Sequence, residues 1–345
     1  MTWELPFSFG RQLPTRSGRV AGILARAIFV AGAMPICFGQ SDPTVAHVTP
    51  RIIHTTPLAE RGEREDVAGS LKANVNLVLV PVTVTDQQDR LVLGLEKDNF
   101  SIYDGHDQQV IRYLSNEDAP VSLGIVFDTS SSMYGKMERS REALLQFLLS
   151  ANSDDEFFLI GFADRPELLV DFTNSVDDIQ KQIAKANPDG GTALLDAIYL
   201  GLDTMRHAHH ERKVLLIVSD GADNHSRYTM KEIWPVVAEA EVQIYAMGIF
   251  DDAPRTKAER MGPDFLAAIT GITGGHTLPI HNLKKIGDAT SKLSIELRNQ
   301  YLLAYRPTDL AHDGKWHKIR VRVTPPKDSS RLRVYAKGGY YAPAE

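Results

Sequence analysis

The sequence predicts an α/β fold: an open, mostly parallel β-sheet with helices on both faces, inserted in a β-sandwich that the N- and C-terminal flanks form together. Two observations lead to this class. In the middle of the chain, short apolar runs alternate with amphipathic helical stretches, as expected for parallel strands that are buried on both faces. Toward both ends, apolar and polar residues instead alternate with a period of two, which is typical of half-exposed strands. The 345 residues, 43% of them hydrophobic, suffice for two such cores.

Residues 1–39 have the pattern of a signal peptide. Arginines precede the apolar stretch 27–38, and Cys37 and Gly39 place small residues at the −3 and −1 positions of a cleavage site. This stretch is shorter than the about 20 residues that a membrane span needs, although residues 20–24 would lengthen it in a retained anchor. We therefore expect a secreted, periplasmic or cell-envelope protein, attached to a membrane only if this segment is retained. Cys37 is the sole cysteine, so we expect no disulfide in the mature protein.

Residues 40–72 predict a flexible linker, because they are rich in Pro, Thr, Glu and Arg and have no apolar period. The chain carries a formal charge of −6, and residues 1–39 contribute four arginines against one glutamate, which leaves −9 on the remainder. Nucleic-acid binding needs a clustered basic face. No such cluster is visible, so we expect no nucleic-acid partner.

Residues 73–117 and 301–345 predict the two parts of the β-sandwich. In the first part, the valines from Val78 to Val84 alternate with other residues, Leu91–Leu93 predicts a short strand, and Asp104-Gly105 predicts a hairpin. The hairpin strands would be Phe100–Tyr103 and Val110–Tyr113. The second part shows strand-like runs at Tyr301–Tyr305, Ile319–Val323 and Leu332–Tyr335.

Residues 118–300 predict the inserted α/β domain. Its expected strands are the apolar runs Val121–Phe127, Phe157–Phe162, Val214–Val218 and Val242–Ile249, with Leu168–Phe172 as an extra edge strand. Its expected helices are Lys136–Ser150, Ala193–Arg206, Met230–Glu239 and Leu283–Asn299. Asp177 and Thr229 are suitable helix N-caps. Pro235 lies inside the third helical stretch, where it predicts a kink or a late start.

Oxygen-bearing side chains follow the ends of the apolar runs in this domain. They are Asp128, Ser130, Ser132, Thr192 and Asp220. Because ligands of open parallel sheets bind beyond the carboxyl ends of the strands, we expect these side chains to converge at one edge. The first three alternate along the chain and would face one side of an extended loop. Carboxylates and hydroxyls are hard donors, suited to Mg²⁺, Mn²⁺ or Ca²⁺ rather than to Zn²⁺.

This set of residues resembles the metal-ion-dependent adhesion site of the von Willebrand factor type A (VWA) domain. The resemblance rests on Asp128-x-Ser-x-Ser132, on the Gly-Gly-Thr192 turn and on the Ser-Asp220-Gly turn, and it spans roughly residues 118–300. It implies a VWA-like fold, one bound Mg²⁺ (or Mn²⁺ or Ca²⁺), and a protein ligand that supplies an acidic side chain to the metal. The flanks resemble those of secreted bacterial VWFA-related proteins, through Val82-Thr-Val-Thr-Asp86 and Tyr301-Leu-Leu-Ala-Tyr305. One departure is Asp89-Arg90, where a glycine is usual.

Other residues in the domain fit structural roles. Asp223 and Asn224 are expected to form a polar turn, and Asp196 is expected to cap or tether the Thr192 loop. The cluster His207, His209 and His210 is expected to be a solvated helix end, because no further ligands with helical spacing accompany it.

The sequence favours a binding protein over an enzyme. It contains no Gly-x-Ser-x-Gly elbow, Walker loop or His-Glu-x-x-His motif. An aspartyl phosphotransferase needs a second acid two residues after the first, but position 130 is serine, and no lysine is expected nearby to bind phosphate. A metal-dependent phosphoester hydrolase remains an alternative, because a Mg²⁺ with an open position can act as a Lewis acid. A scaffold with a stabilising metal is another.

Overall fold

The computed structural model describes residues 77–116, 118–251, 254, 256–282, 286–308, 313–325 and 331–342. The predicted signal peptide (1–39) and linker (40–72) lie outside the described residues. The strands are β1 Val78–Thr85, β2 Phe100–Asp104, β3 Asp107–Gln109, β4 Ile111–Ser115, β5 Val121–Asp128, β6 Glu156–Phe162, β7 Pro166–Thr173, β8 Arg212–Ser219, β9 Gln243–Ile249, β10 Thr277–Ile280, β11 Tyr301–Tyr305, β12 Trp316–Val323, β13 Arg333–Ala336 and β14 Gly339–Tyr341. The α-helices are α1 Met137–Leu148, α2 Val176–Lys185, α3 Leu194–Met205, α4 Met230–Glu239, α5 Lys257–Thr273 and α6 Ile286–Arg298.

The central sheet has the strand order β10-β9-β8-β5-β6-β7. All neighbouring pairs are parallel except β6 and β7, which are antiparallel. Every residue of β5, β6 and β9 is buried, because helices cover both faces: α1, α2 and α6 share one apolar core with the sheet, and α3, α4 and α5 share the other. The predicted α/β class is confirmed, and β7 is the predicted edge strand.

Several predictions about helices need correction. The helix α4 begins at Met230, so Pro235 does not delay its start. Ser175, not Asp177, is the N-cap of α2, since its side chain accepts from the backbone of Asp178. The helix α5 and the strand β10 were not predicted. The helix α6 is described from Ile286, inside the predicted 283–299.

Both flanks contribute to two further sheets, ordered β13-β1-β11-β4 and β14-β12-β2-β3. The two sheets enclose one apolar core, to which β1, β2 and β4 contribute from the N-terminal side and β11 and β12 from the C-terminal side. The predicted sandwich of both flanks is therefore confirmed.

The predicted hairpin in the sandwich is wrong in its second strand. Strand β2 pairs with β3, whereas β4 pairs with β11 in the opposite sheet. The chain crosses between the two sheets at Val110, which is exposed. Leu91 forms only a single bridge with Thr85, not a strand. Asp89, at the position where a glycine is usual, adopts a left-handed φ of 56°. Among the described helices, none is both long and apolar enough to cross a membrane.

Candidate metal centre

The ends of β5 and β8 bring two carboxylates together. These strands are parallel neighbours with Phe127 opposite Val218, so Asp128 and Ser219 end adjacent strands and Asp220 follows directly. Ser219 Oγ donates a hydrogen bond to Asp128 Oδ2 and accepts one from the backbone of Gly221 at 3.0 Å. The side chain of Ser219 thus ties the Asp220 turn to Asp128. Asp128 and Asp220 are both buried, at 0% and 1% exposure.

The loop after β5 is held to Asp128 through Ser130. The backbone N–H of Ser130 donates to Asp128 Oδ1 at 2.9 Å, and Ser130 Oγ lies 3.0 Å from Ser132 Oγ. A short 3₁₀ turn at Ser131–Met133 follows and leads into α1. The loop therefore holds one carboxylate and two hydroxyls together, as the alternating spacing predicted.

The loop that carries Thr192 is bound directly to the loop after β5. The backbone N–H of Ser131 donates to Gly190 O at 3.1 Å, and that of Asp189 donates to Thr129 O at 2.9 Å. Thr192 itself is 1% exposed. All five predicted residues therefore belong to three loops joined at the carboxyl edge of the sheet.

Residues 223–228 hold the Thr192 loop in place. Asn224 Oδ1 accepts from the backbone N–H of Thr192 at 2.9 Å, and Asp223 Oδ1 accepts from that of Leu194 at 2.9 Å. The polar turn expected for Asp223 and Asn224 thus also binds the backbone of the loop that carries Thr192. Asp196 was expected to cap or tether the Thr192 loop, but its carboxylate instead accepts from the backbone of Arg227 and Tyr228 and thereby holds that segment.

A lysine lies in the site, contrary to the expectation that none is nearby. Lys136 Nζ donates to Asp220 Oδ2 at 2.6 Å, and both side chains are buried, at 3% and 2% exposure. This contact is difficult to predict from the sequence, because a lysine just before a helix usually extends into solvent. Its place four residues after Ser132, on the turn that enters α1, is the signal that could have found it.

Burial makes the charge of Asp128 costly. Removal from water raises the pKa of Asp128 to about 7, although the hydrogen bonds from Ser130 and Ser219 lower it, and the nearby charge of Asp220 raises it further. A cation would favour the ionised carboxylate. Carboxylates and hydroxyls are the donors that Mg²⁺, Mn²⁺ and Ca²⁺ prefer, so the residues present fit such an ion. Among the described residues, no group of three or more His, Cys, Asp or Glu side chains could hold a metal; the candidate set has only two carboxylates.

His207 and His209 are exposed, as predicted for a solvated helix end, but His209 also makes a specific contact. His209 donates its backbone N–H to Glu156 Oε1 at 2.8 Å, and its Nδ1 lies 2.7 Å from Glu156 Oε2. Glu156 is buried and also accepts from Ser122 Oγ. His209 thus fastens the loop before β8 to the amino edge of the sheet, opposite the candidate metal centre.

An open, mostly parallel sheet with helices on both faces and polar loops at its carboxyl edge places the central domain in the α/β class. Residues 123–222 match the family model of the von Willebrand factor type A domain. Inter-alpha-trypsin inhibitor heavy chain H4 of pig (Sus scrofa) is 26% identical over 156 residues, and the match covers 41% of this chain and 17% of that protein. For human (Homo sapiens) heavy chain H2, the match is 25% identical over 146 residues and covers 38% and 15%. The chain thus spans only a small part of these relatives.

Solved structures are also similar. The von Willebrand factor type A protein of Catenulispora acidiphila is 12% identical with a TM-score of 0.46, and the match covers 79% of this chain and 64% of that one. The vWF domain of the type V pili tip protein Mfa5 of Porphyromonas gingivalis is 22% identical with a TM-score of 0.29, over 31% and 39%. Together, the family match and the topology show that the central α/β domain of this chain contains a VWA domain at residues 123–222.

Proposed function

We propose that this protein binds protein partners through a divalent cation at the carboxyl edge of its central sheet. The VWA domain indicates an interaction or adhesion module. The cation, Mg²⁺ or else Mn²⁺ or Ca²⁺, would be held by Asp128, Ser130, Ser132, Thr192 and Asp220. When bound, it supplies a Lewis-acidic position that an acidic side chain of the partner can occupy.

One observation carries the proposal: the three loops that contain these five residues are hydrogen-bonded to one another at one edge of the sheet, and both carboxylates are buried. Asp128 is buried with no basic side chain among its described contacts, and burial of a carboxylate without a counter-charge is unfavourable. The five donors supply only two negative charges, so a divalent ion bound there is not over-neutralised and retains affinity for an anionic group.

The site of action is proposed to be the cell envelope or the space outside the cell. This rests on the signal-peptide pattern of residues 1–39, which lie outside the described residues. The finer assignment of the flanks to secreted bacterial VWFA-related proteins remains a prediction.

The direct test is titration of purified protein with Mn²⁺ by calorimetry, beside the variants Asp128→Ala and Asp154→Ala. Asp154 is an exposed carboxylate just before β6, at the opposite edge of the sheet, so its removal controls for a general loss of negative charge. We expect one Mn²⁺ site in the wild type and in Asp154→Ala, and none in Asp128→Ala. Equal Mn²⁺ binding by Asp128→Ala would contradict the proposal.

Capture of partners from envelope extracts, with and without chelator, then separates the alternatives. A binding module retains a partner only with the cation and loses it in Asp128→Ala. A hydrolase turns over a phosphoester such as p-nitrophenyl phosphate without retaining a partner. A scaffold unfolds at a lower temperature after chelation but still retains its partner.

A further inference from the structure

The contact between Lys136 and Asp220 is unusual because it places an ammonium inside a set of residues suited to a metal cation. Lys136 is 3% exposed and lies 2.6 Å from Asp220 Oδ2. Its second acidic neighbour, Asp251, is farther away at 3.7 Å and is paired with Arg139 at 2.6 Å. Asp220 is therefore the principal counter-charge of Lys136 among the contacts described.

The second oxygen of Asp220 is also engaged. Asp220 Oδ1 accepts from the backbone N–H of Ala222 at 3.0 Å. A carboxylate has about four lone-pair positions, so this residue keeps some capacity, but the hydrogen bonds from Lys136 and Ala222 fix its orientation. A buried ammonium that loses its partner is strongly destabilised, so Asp220 cannot turn from Lys136 toward a cation at low cost.

From this geometry, and resting on the proposed function, we infer that Lys136 acts as a built-in counter-cation that weakens the hold of Asp220 on the metal and keeps the loaded site positively charged. Asp128 and Asp220 alone would neutralise a divalent ion. With Lys136 included, the loaded site carries a net charge of +1. Lys136 is thus a positioning residue. It lowers the affinity of the site for the free cation and raises the affinity of the loaded site for an anionic group.

The net charge of the loaded site specifies the chemistry of the partner. A single carboxylate brings the loaded site to zero charge, whereas a neutral oxygen donor leaves the positive charge uncompensated in a buried environment. The favoured partner therefore presents one aspartate or glutamate side chain, or a C-terminal carboxylate, to the cation.

The test compares Lys136→Gln, Lys136→Met and wild type in titrations with Mn²⁺ alone. Glutamine removes the charge but can still donate a hydrogen bond to Asp220, so this variant is expected to fold; Lys136→Met removes both. We expect both variants to bind Mn²⁺ about tenfold more tightly or better, because one repelling charge near the ion is removed. The stabilisation by Mn²⁺ in thermal unfolding should rise in parallel.

Arg139→Gln is the matched control. It removes the same charge from the same end of α1, but Arg139 contacts Asp251 and the carbonyl of His281 rather than Asp220. Its effect on Mn²⁺ affinity should stay below about threefold if the contact with Asp220 matters. An equal effect of Arg139→Gln would overturn the inference in favour of general electrostatics.

Acetate serves as the carboxylate probe in a second titration. In the wild type, acetate should strengthen Mn²⁺ binding, and by linkage Mn²⁺ should strengthen acetate binding by the same factor. In Lys136→Gln this coupling should fall severalfold, because the loaded site is then neutral. Unchanged coupling would overturn the link between Lys136 and partner choice.

The remaining outcomes separate this inference from the proposed function. Wild-type Mn²⁺ binding that is unchanged or weaker in both Lys136 variants overturns the inference alone. Binding by Lys136→Gln but not by wild type overturns both, because the ammonium would then occupy the place of the metal in the native protein. Absence of binding in every variant overturns both.

Discussion

The phenol of Tyr245 donates a hydrogen bond of 3.0 Å to Glu296 Oε1, and both side chains are buried between β9 and α6. Gln300 extends this contact into the sandwich, because its Nε2 donates to Tyr245 Oη at 3.2 Å and to Thr83 Oγ1 at 3.1 Å. His276 Nδ1 lies 3.5 Å from Glu296 Oε1 and forms no hydrogen bond. The α/β domain and the sandwich are therefore joined by a buried polar network as well as by chain connections.

Replacement of Glu296 by glutamine should stabilise the protein at alkaline pH. Burial raises the pKa of Glu296 from 4.5 to about 7. The unfolded chain therefore loses this proton first, and the free energy of unfolding falls as the pH rises from 4.5 to 7, by about 3 kcal/mol. Glutamine has no such titration and can donate to His276 Nδ1. Urea unfolding should show Glu296→Gln to be more stable than wild type by about 2–3 kcal/mol at pH 8, with a much smaller difference at pH 5.

His276 contributes the opposite dependence. Burial lowers the pKa of His276 from 6.5 to about 4, so the unfolded chain binds more protons between these values and stability rises with pH there. In wild type, the contributions of Glu296 and His276 to the pH dependence of the free energy of unfolding partly cancel. Glu296→Gln should therefore reveal the rise in stability between pH 4.5 and 6.5 that His276 causes. Glu138→Gln, at an exposed position of α1, is the control. If the free energy of unfolding had the same pH dependence in wild type and in Glu296→Gln, this account of the buried network between the α/β domain and the sandwich would be contradicted.

Asn224→Ala should weaken cation binding although Asn224 is not among the proposed ligands. The variant leaves the backbone N–H of Thr192 without its 2.9 Å acceptor, and loss of one such hydrogen bond costs about 1 kcal/mol. Because the freed loop carries Thr192, we expect Mn²⁺ affinity to fall about threefold to tenfold. Calorimetric titration measures the change.

Asn187→Ala provides the comparison for this loop. Asn187 is exposed and donates only to Lys185 O at 3.3 Å among its described contacts. Its removal should leave Mn²⁺ affinity unchanged. If the two variants behaved alike, the hydrogen bond between Asn224 and the backbone of Thr192 would have no part in cation binding.

The strands that position the site could be predicted because they are continuous apolar runs. A residue such as Asp128, which ends a run buried at every position, can only emerge at the carboxyl edge. Asp220 follows β8 in the same manner. The sandwich also followed from pattern alone, since alternation of period two marks both flanks.

Other features could not be predicted from the sequence, because their residue types usually occur in other structural contexts. The helix α5 contains Gly262, Pro263 and Gly271, which disfavour helices in water, so tertiary packing overrides local preference there. A lysine at the start of a helix, such as Lys136, is normally exposed to solvent. Only the fold reveals that Asp220 lies next to it. The role of Asn224 depends on a loop more than thirty residues away, which no local pattern encodes.

The packing of α5 against the Asp220 turn gives a last prediction. A Cβ on Gly262 would lie 2.0 Å from the carbonyl oxygen of Asp220, and a Cβ on Gly221, which has a φ of +78°, would lie 2.5 Å from the carbonyl of Gly262. Gly262→Ala must therefore displace either α5 or the backbone of Asp220. We expect a loss of about 1–3 kcal/mol in the free energy of unfolding and about tenfold weaker Mn²⁺ binding.

Gly271→Ala tests whether this effect is local, because it lies in the same helix with no atom within 4 Å of an added Cβ. There, alanine should raise the free energy of unfolding by about 0.5–1 kcal/mol through its higher helix propensity and leave Mn²⁺ binding unchanged. Urea unfolding and Mn²⁺ titration of the two variants check the pair. A Gly262→Ala variant with wild-type stability and Mn²⁺ affinity would show that α5 does not support the Asp220 turn, and the position of Asp220 would then depend on β8, Ser219 and Lys136 alone.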